Sequence, residues 1–327
     1  MLDTPAREAA APGGTAWTRK DLLDTDSLSQ EEIELVLQTA RAMKEVRSRP
    51  VAKVSTLRGV TVATLFYEQS TRTRASFEVA AKSLGADVVN LTASGSSVEK
   101  GESLIDTVRT LEAIGTDVIV MRHFRSGAPY LAARHTGASI INGGDGTHAH
   151  PTQALLDLFT MVNHLGSVEG RRVVIVGDIL HSRVARSNAW TLLRLGAEVT
   201  LCGPATLLPR WFVPEVPGGG RCTVTTDFDR AIEGADVVMA LRMQKERQQR
   251  GLIPSLREYI AGYQVNARRL ERAAPGALLM HPGPMNEGIE LSPDVAHGAQ
   301  SRIEEQVANG VAVRMALLYL IAARSRS

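Results

Sequence analysis

The segment Gly59–Gly85, GVTVATLFYEQSTRTRASFEVAAKSLG, passes from an apolar strand to a helix through hydroxyls and guanidiniums alone. Gly59 to Phe66 is β-branched and apolar, whereas Phe77, Ala80, Ala81 and Leu84 recur at i, i+3, i+4 and i+7 before Gly85, a residue suited to a helix C-terminus. Ser70, Thr71, Arg72, Thr73 and Arg74 therefore fall at a helix N-terminus. Unpaired backbone N–H groups and the positive end of the helix dipole favour an anion there. The hydroxyls add donors, and Arg72 can pair with two phosphate oxygens at once. The bland alternative is a helix cap followed by solvated arginines; two arginines and three hydroxyls in five residues weigh against it.

Outward from this strand–helix unit the same alternation repeats, which predicts an α/β protein with parallel sheets. Ser29 and Glu32 form a capping box that opens a helix to about Arg47. Strands are expected at Val60–Phe66, Asp87–Leu91, Asp117–Met121 and Ser139–Ile141, followed by a polar loop, Asn142–His150, and a helix from Thr152 to Val162 behind Pro151. A second doubly wound unit starts at Arg172–Asp178. It continues with a helix near Arg183–Leu195 and strands at Glu198–Cys202, Val237–Leu241 and Ala277–Met280. The segment Pro214–Gly220 reads as a surface loop. A closing helix, Arg302–Ala323, places Ile303, Val307, Val311, Met315 and Leu318 on one face and is expected to dock back on the first unit. The expected division is a disordered tail at 1–17, a first domain of 18–150 plus 302–327, and a second domain of 151–301.

Composition narrows the functional classes. The chain has 327 residues, too many for one typical core, and balances 37 basic against 35 acidic side chains. No global field attracts nucleic acid or a membrane, so an anion site must be built locally. Aromatic residues are few, which argues against single-strand stacking platforms. Cys202 and Cys222 are the only cysteines, and neither a metal nor a disulfide framework is expected. No apolar run is expected to reach the roughly 20 residues that span a bilayer, and Met1–Ala16 lacks the apolar core of a signal peptide. Val176-Gly177-Asp178 ends a strand before a helix, but Ile179–Arg183 supplies none of the further glycines that a dinucleotide site requires.

Further polar clusters stand at predicted strand ends, where open α/β sheets bind ligands. Met121-Arg122-His123 ends one strand, and His150-Pro151-Thr152-Gln153 opens a helix. Arg242-Met243-Gln244-Lys245-Glu246-Arg247 concentrates charge after another strand, and His281-Pro282-Gly283-Pro284 forms a rigid loop whose carbonyls point in fixed directions. Ser96-Ser97-Val98-Glu99-Lys100-Gly101-Glu102 is a polar loop. Singly, each of these reads as a cap, a turn or a solvated face.

Together and in this order, with HPTQALLD at 150–157 and the Gly177–Arg183 segment, the motifs resemble those of aspartate carbamoyltransferase catalytic chains over residues 18–325. The resemblance implies two doubly wound domains joined by helices, with the active site in the cleft between them. It implies transfer of the carbamoyl group of carbamoyl phosphate to L-aspartate in pyrimidine biosynthesis, without metal or cofactor, in the cytoplasm. It assigns Ser70, Arg72 and Thr73 to the phosphate, and Arg122, His150 and Thr73 to the carbamoyl oxygen. Gln153 with the Pro282–Gly283–Pro284 loop takes the carbamoyl amide. Arg183, Arg242, Gln244 and Lys100 take the aspartate carboxylates, while Glu68 and Arg247 form ion pairs that hold loops closed. Ser96 and Lys100 would reach into a neighbouring subunit's site, so a homotrimer is implied, alone or with regulatory or dihydroorotase chains. Three positions depart from the family pattern: Gly283 where some members have leucine, His181 where an aromatic hydroxyl is common, and Glu287 where a basic residue is frequent.

The nearest rival is ornithine carbamoyltransferase, which shares the S-T-R-T-R and H-P-T-Q segments. Its Ser-Met-Gly loop and His-Cys-Leu-Pro strand end are absent here, and a basic 242–247 segment suits a dicarboxylate better than a diamino acid. An inactive phosphate-binding or scaffold subunit would be expected to have lost Lys100, Arg122 or His150; all three are present.

Overall fold

Strand formation after Gly59 follows from its β-branched side chains, which fill space on both faces of a sheet. The computed structural model describes residues 16–92, 102–209, 212–243, 252 and 255–324. Ser96, Lys100, Gln244 and Arg247, and most of the expected N-terminal tail, lie outside them. In β1 (Thr61–Phe66) every residue after the first is buried. It leads into α2 (Thr71–Ser83), which ends at Leu84 and Gly85, the latter at φ +80° where a left-handed residue closes a helix. Ahead of β1 lies α1 (Gln30–Arg47), with both halves of the Ser29/Glu32 capping box formed. The first unit continues with β2 (Asp87–Thr92), α3 (Leu104–Ala113), β3 (Val118–His123), α4 (Ala128–Ala133) and β4 (Ser139–Asp145). Its sheet runs β2-β1-β3-β4, all parallel.

From β4 the chain enters α5 (Pro151–Leu165) and then the second unit: β5 (Arg172–Val176), α6 (Arg183–Arg194), β6 (Glu198–Cys202) and β7 (Cys222–Thr225). After α7 (Phe228–Ala231) come β8 (Val237–Ala240), α8 (Leu256–Tyr263), α9 (Ala267–Leu270), β9 (Leu278–Met280), α10 (Pro293–Ala296) and α11 (Ile303–Arg324). The second sheet is also parallel, in the order β7-β6-β5-β8-β9. Strand order reverses between β1 and β3 in one sheet and between β5 and β8 in the other. Such reversals open crevices at the carboxyl ends of strands.

One apolar cluster runs through both units, joining Ile33, Val62 and Phe77 to Phe159, Ile175, Leu192 and Met315. As expected, α11 docks back on the first unit, where it packs against α1, α2 and α5. Several expectations need correction. Val307 is 53% exposed and Val311 half-buried, whereas Asn309, Gly310, Val313 and Arg314 are buried, so the buried surface of α11 is not the single apolar face expected. The same helix is long and apolar enough by composition to cross a bilayer, contrary to the expectation from the sequence, but 72% of that apolar window is buried inside the protein. Asn142–Asp145 is not loop: it extends β4, every residue of which is buried. A Cβ at Gly143 would stand 3.2 Å from the Met121 carbonyl oxygen, so glycine here serves close strand packing. The unanticipated β7 is a short edge strand of half-buried residues and lacks a core-like apolar pattern.

Candidate active site

The carboxyl ends of β1, β3, β4, β5, β8 and β9 converge on one cleft of about 740 Å³. Ser70 is the N-cap of α2 but makes no side-chain capping bond, and it lines the cleft with Thr71, Arg72 and Thr73. The first-turn N–H groups of α2 therefore remain available to an anion. Arg72 reaches across to the second unit. A Cβ at Gly283, whose φ is +63°, would stand 2.1 Å from Arg72 Nη1, so the guanidinium lies against the backbone of the β9 loop.

Arg122 enters from β3. Its Nε donates to Glu68 Oε2 at 3.0 Å and its Nη1 to the Gly143 carbonyl at 3.2 Å. Arg183, the first residue of α6 and 4% exposed, donates from Nη2 to the same Glu68 oxygen at 2.5 Å and from Nη1 to the Gly146 carbonyl at 3.1 Å. A Cβ at Gly144 (φ +118°) would stand 3.0 Å from Arg183 Nε and 3.2 Å from Arg122 Nη1, so the glycine makes room for both guanidiniums. Glu68 thus joins an arginine of β3 in the first unit to the first residue of α6 in the second. The resemblance gives Glu68 and Arg247 ion pairs that hold loops closed; Arg247 lies outside the described residues, and Glu68 pairs with Arg122 and Arg183.

His150 caps α5, and its backbone N–H donates to Ser187 Oγ at 2.9 Å. Its ring is buried, and among the described residues Nδ1 has no hydrogen-bond partner. Burial, reinforced by Arg122, Arg183 and Arg314, holds its pKa well below the usual imidazole value, so the ring is neutral. Gln153 lies in the first turn of α5, two residues after Pro151, and lines the cleft. Arg242 and Pro282–Pro284 approach from the ends of β8 and β9. Thus Ser70, Arg72, Thr73, Arg122, His150, Gln153, Arg183, Arg242, Pro282, Gly283 and Pro284 all line one cleft. Ser76, Gln306 and Arg314 line it too and went unnoticed, because they sit inside helices whose pattern reads as core packing. Of the departures from the family pattern, His181 pairs through Nδ1 with Asp178 at 2.9 Å and Glu287 with His297 at 3.2 Å.

Electrostatics define what this cleft can hold. Among the described residues, five arginines line it against a single glutamate. Burial and the neighbouring Arg242 lower the pKa of Arg72, so an incoming anion relieves a real repulsion. Among the described residues no group of three or more His, Cys, Asp or Glu side chains could hold a metal ion. Burial pushes the Cys202 thiol up to about 12 and Cys222 up to about 11, which leaves neither as a nucleophile at neutral pH.

The buried imidazoles carry a stability consequence. Burial first, then Arg72 and Arg242, pushes His281 down from 6.5 to about 3. The unfolded chain takes up protons below about pH 6.5 that native His150 and His281 refuse, so their contribution is complete above that pH and is lost as pH falls. Linkage puts the His281 loss at about 2 kcal/mol between pH 6.5 and 5. Asp157, pushed up to about 6 by burial, gains its proton in the native state over this range and offsets part of the loss. A lower urea midpoint at pH 5 than at pH 7 is expected, with a smaller drop in His281→Asn. An unchanged midpoint would refute this account.

The family profile described as aspartate/ornithine carbamoyltransferase, carbamoyl-P binding domain, matches residues 20–163, and that described as the Asp/Orn binding domain matches residues 169–321. The chain is 62% identical over 302 residues to the aspartate carbamoyltransferase catalytic subunit of Roseiflexus sp. (strain RS-1), covering 92% of this chain and 94% of that one. Its fold matches aspartate transcarbamoylase from Trypanosoma cruzi in complex with carbamoyl phosphate, with TM-score 0.85, 32% identity, and 93% and 96% of the two chains covered. Ornithine carbamoyltransferase from Pyrococcus furiosus matches with TM-score 0.86, 30% identity, and 94% and 98% covered. Backbone similarity alone therefore does not separate the two activities.

Proposed function

The chain belongs to the aspartate/ornithine carbamoyltransferase family, and from that premise we propose that it transfers the carbamoyl group of carbamoyl phosphate to L-aspartate. The products are N-carbamoyl-L-aspartate and phosphate, in de novo pyrimidine biosynthesis. The observation that carries the choice of aspartate is the charge of the cleft: five arginines against one glutamate among the described residues suit a dianionic donor and a dicarboxylate acceptor, and would repel the side-chain ammonium of ornithine.

In the proposed mechanism Ser70, Arg72, Thr73 and the first-turn N–H groups of α2 hold the phosphate. Arg122, His150 and Thr73 donate to the carbamoyl oxygen. Gln153 Oε1 and the Pro282 and Gly283 carbonyls accept from the carbamoyl NH2, with Pro284 holding the loop. Arg183 and Arg242, with Gln244 and Lys100, bind the aspartate carboxylates. The aspartate amine attacks the carbamoyl carbon, and the C–O bond to phosphate breaks as the tetrahedral oxyanion collapses. The departing phosphate takes the amine proton. Rate enhancement then comes from orientation and from donors preset around the developing oxyanion.

We assign 18–150 plus 302–327 to carbamoyl phosphate binding and 151–301 to aspartate binding. Ser96 and Lys100 complete the site of a neighbouring subunit, which makes the working unit a cytoplasmic homotrimer. The test is carbamoyl transfer to aspartate and to ornithine side by side, with oligomer mass measured on the same sample. Turnover with aspartate by a trimer is expected; ornithine turnover, or an active monomer, would overturn the reading.

A further inference from the structure

Below the cleft a carboxylate is buried completely. Asp157, in α5 one turn after Gln153, is 0% exposed and is reached by three side-chain amides. Its Oδ1 accepts from Gln153 Nε2 and from Gln306 Nε2, each at 2.8 Å, and its Oδ2 accepts from Asn188 Nδ2 at 2.9 Å. The donors belong to α5, α11 and α6. Gln306 carries the connection further, since its Oε1 accepts the His281 backbone N–H at 3.0 Å. His281 Nδ1 in turn accepts from the Gly283 N–H at 2.8 Å. One carboxylate therefore braces both the Gln153 amide and the start of the loop at Pro282–Pro284.

We propose that Asp157 is the positioning residue that makes the donor site selective for an NH2 group, by fixing the Gln153 amide and, through Gln306, the His281–Pro284 loop. The inference rests on the carbamoyl-transfer reading given above. An ionised carboxylate accepts hydrogen bonds and donates none. It therefore takes the NH2 end of Gln153 and leaves the oxygen end for the cleft that Gln153 lines. An acceptor there matches a carbamoyl NH2 and has nothing to offer a methyl group.

A purely structural role fits less well. A buried charge costs several kcal/mol of desolvation, and an apolar residue would join three helices at lower cost. Two of the three amides that Asp157 holds also lie on the wall of the cleft. In Asp157→Asn the side chain could present its own NH2 to Gln153, whose amide would then turn. That turn would place a donor against the donor of the substrate.

The test compares the full-length wild type with D157N, Q153A and the double variant. KM for carbamoyl phosphate is measured beside the inhibition constants of acetyl phosphate, in which a methyl replaces the NH2, and of inorganic phosphate. D157N is expected to raise KM for carbamoyl phosphate about tenfold or more, with acetyl phosphate and phosphate changed less than about threefold. Added to Q153A, it should cost less than about a further threefold, because the two residues act as one unit. Equal weakening of all three ligands, no weakening, or full additivity would overturn the proposal. If D157N does not fold, Gln306→Met severs the link to His281 and is judged by the same selective loss. A wild type that fails to carbamoylate aspartate sinks the functional reading itself; an active wild type with an indifferent D157N sinks only this proposal.

Discussion

Arg122→Ala is expected to lower kcat/KM by about 10²–10³-fold, which corresponds to about 2.7–4 kcal/mol of lost transition-state stabilisation. The estimate rests on how the side chain is held. Glu68 takes Nε, the Gly143 carbonyl takes Nη1, and the bare backbone of Gly144 lies against the guanidinium. Such a donor needs no reorganisation when charge develops on the carbamoyl oxygen. Arg122→Lys should not restore activity, because an ammonium cannot meet Glu68, Gly143 and substrate with one planar fork. Folding should survive, since Glu68 keeps Arg183 as its partner in the variant. Steady-state kinetics on a variant that unfolds at a near-normal temperature decides the matter. Activity within tenfold of wild type would remove Arg122 from the reacting centre.

The candidate cleft was legible in the sequence where its lining stands on strand ends. Ser70–Arg74, Arg122, His150 and His281–Pro284 each follow a run of core residues, so polar groups there must serve a turn, a cap or a ligand. Glu68 was visible, but its partners were not, because no spacing rule says that arginines 54 and 115 residues away will share one carboxylate oxygen. Asp157, Gln306 and Arg314 were missed as a group for a different reason. They occupy helical positions surrounded by apolar neighbours, where the period of the helix speaks of packing and a buried polar network leaves no separate trace. Glycines misled in the same way: Gly143 and Gly144 read as loop, although a fully buried strand beside two guanidiniums has no room for side chains at those positions.

The geometry also explains why neither sheet suffices alone. The α2 turn and Arg122 belong to one, Arg242 and the β9 loop to the other, and the two meet through contacts that cross between them: Arg72 on Gly283, and Arg183 on Glu68 and Gly146. Aspartate and carbamoyl phosphate would thus be gripped from opposite walls. A small change in the angle between the sheets would move the acceptor relative to the carbamoyl carbon, and alignment of that pair is where orientation contributes most.

His150→Ala should cost kcat a comparable factor of about 10²–10³ if the ring N–H is a donor to the oxyanion, yet leave the shape of the pH profile unchanged between about pH 6 and 9. The second half of that expectation follows from the environment of the ring. Burial is the main cause of its low pKa, and Arg122, Arg183 and Arg314 add to it. Folded His150 is therefore neutral throughout the range and has no ionisation to contribute. An imidazole with so low a pKa is also a poor base for an amine, whereas a phosphate dianion leaving from the same carbon is close by and gains basicity as its bond breaks. The profile should then report the aspartate amine and the phosphate in wild type and variant alike. Measuring kcat and kcat/KM across that range for both proteins separates the cases. If replacement of His150 removes an ionisation from either profile, the ring is the base and the assignment of proton transfer to phosphate fails.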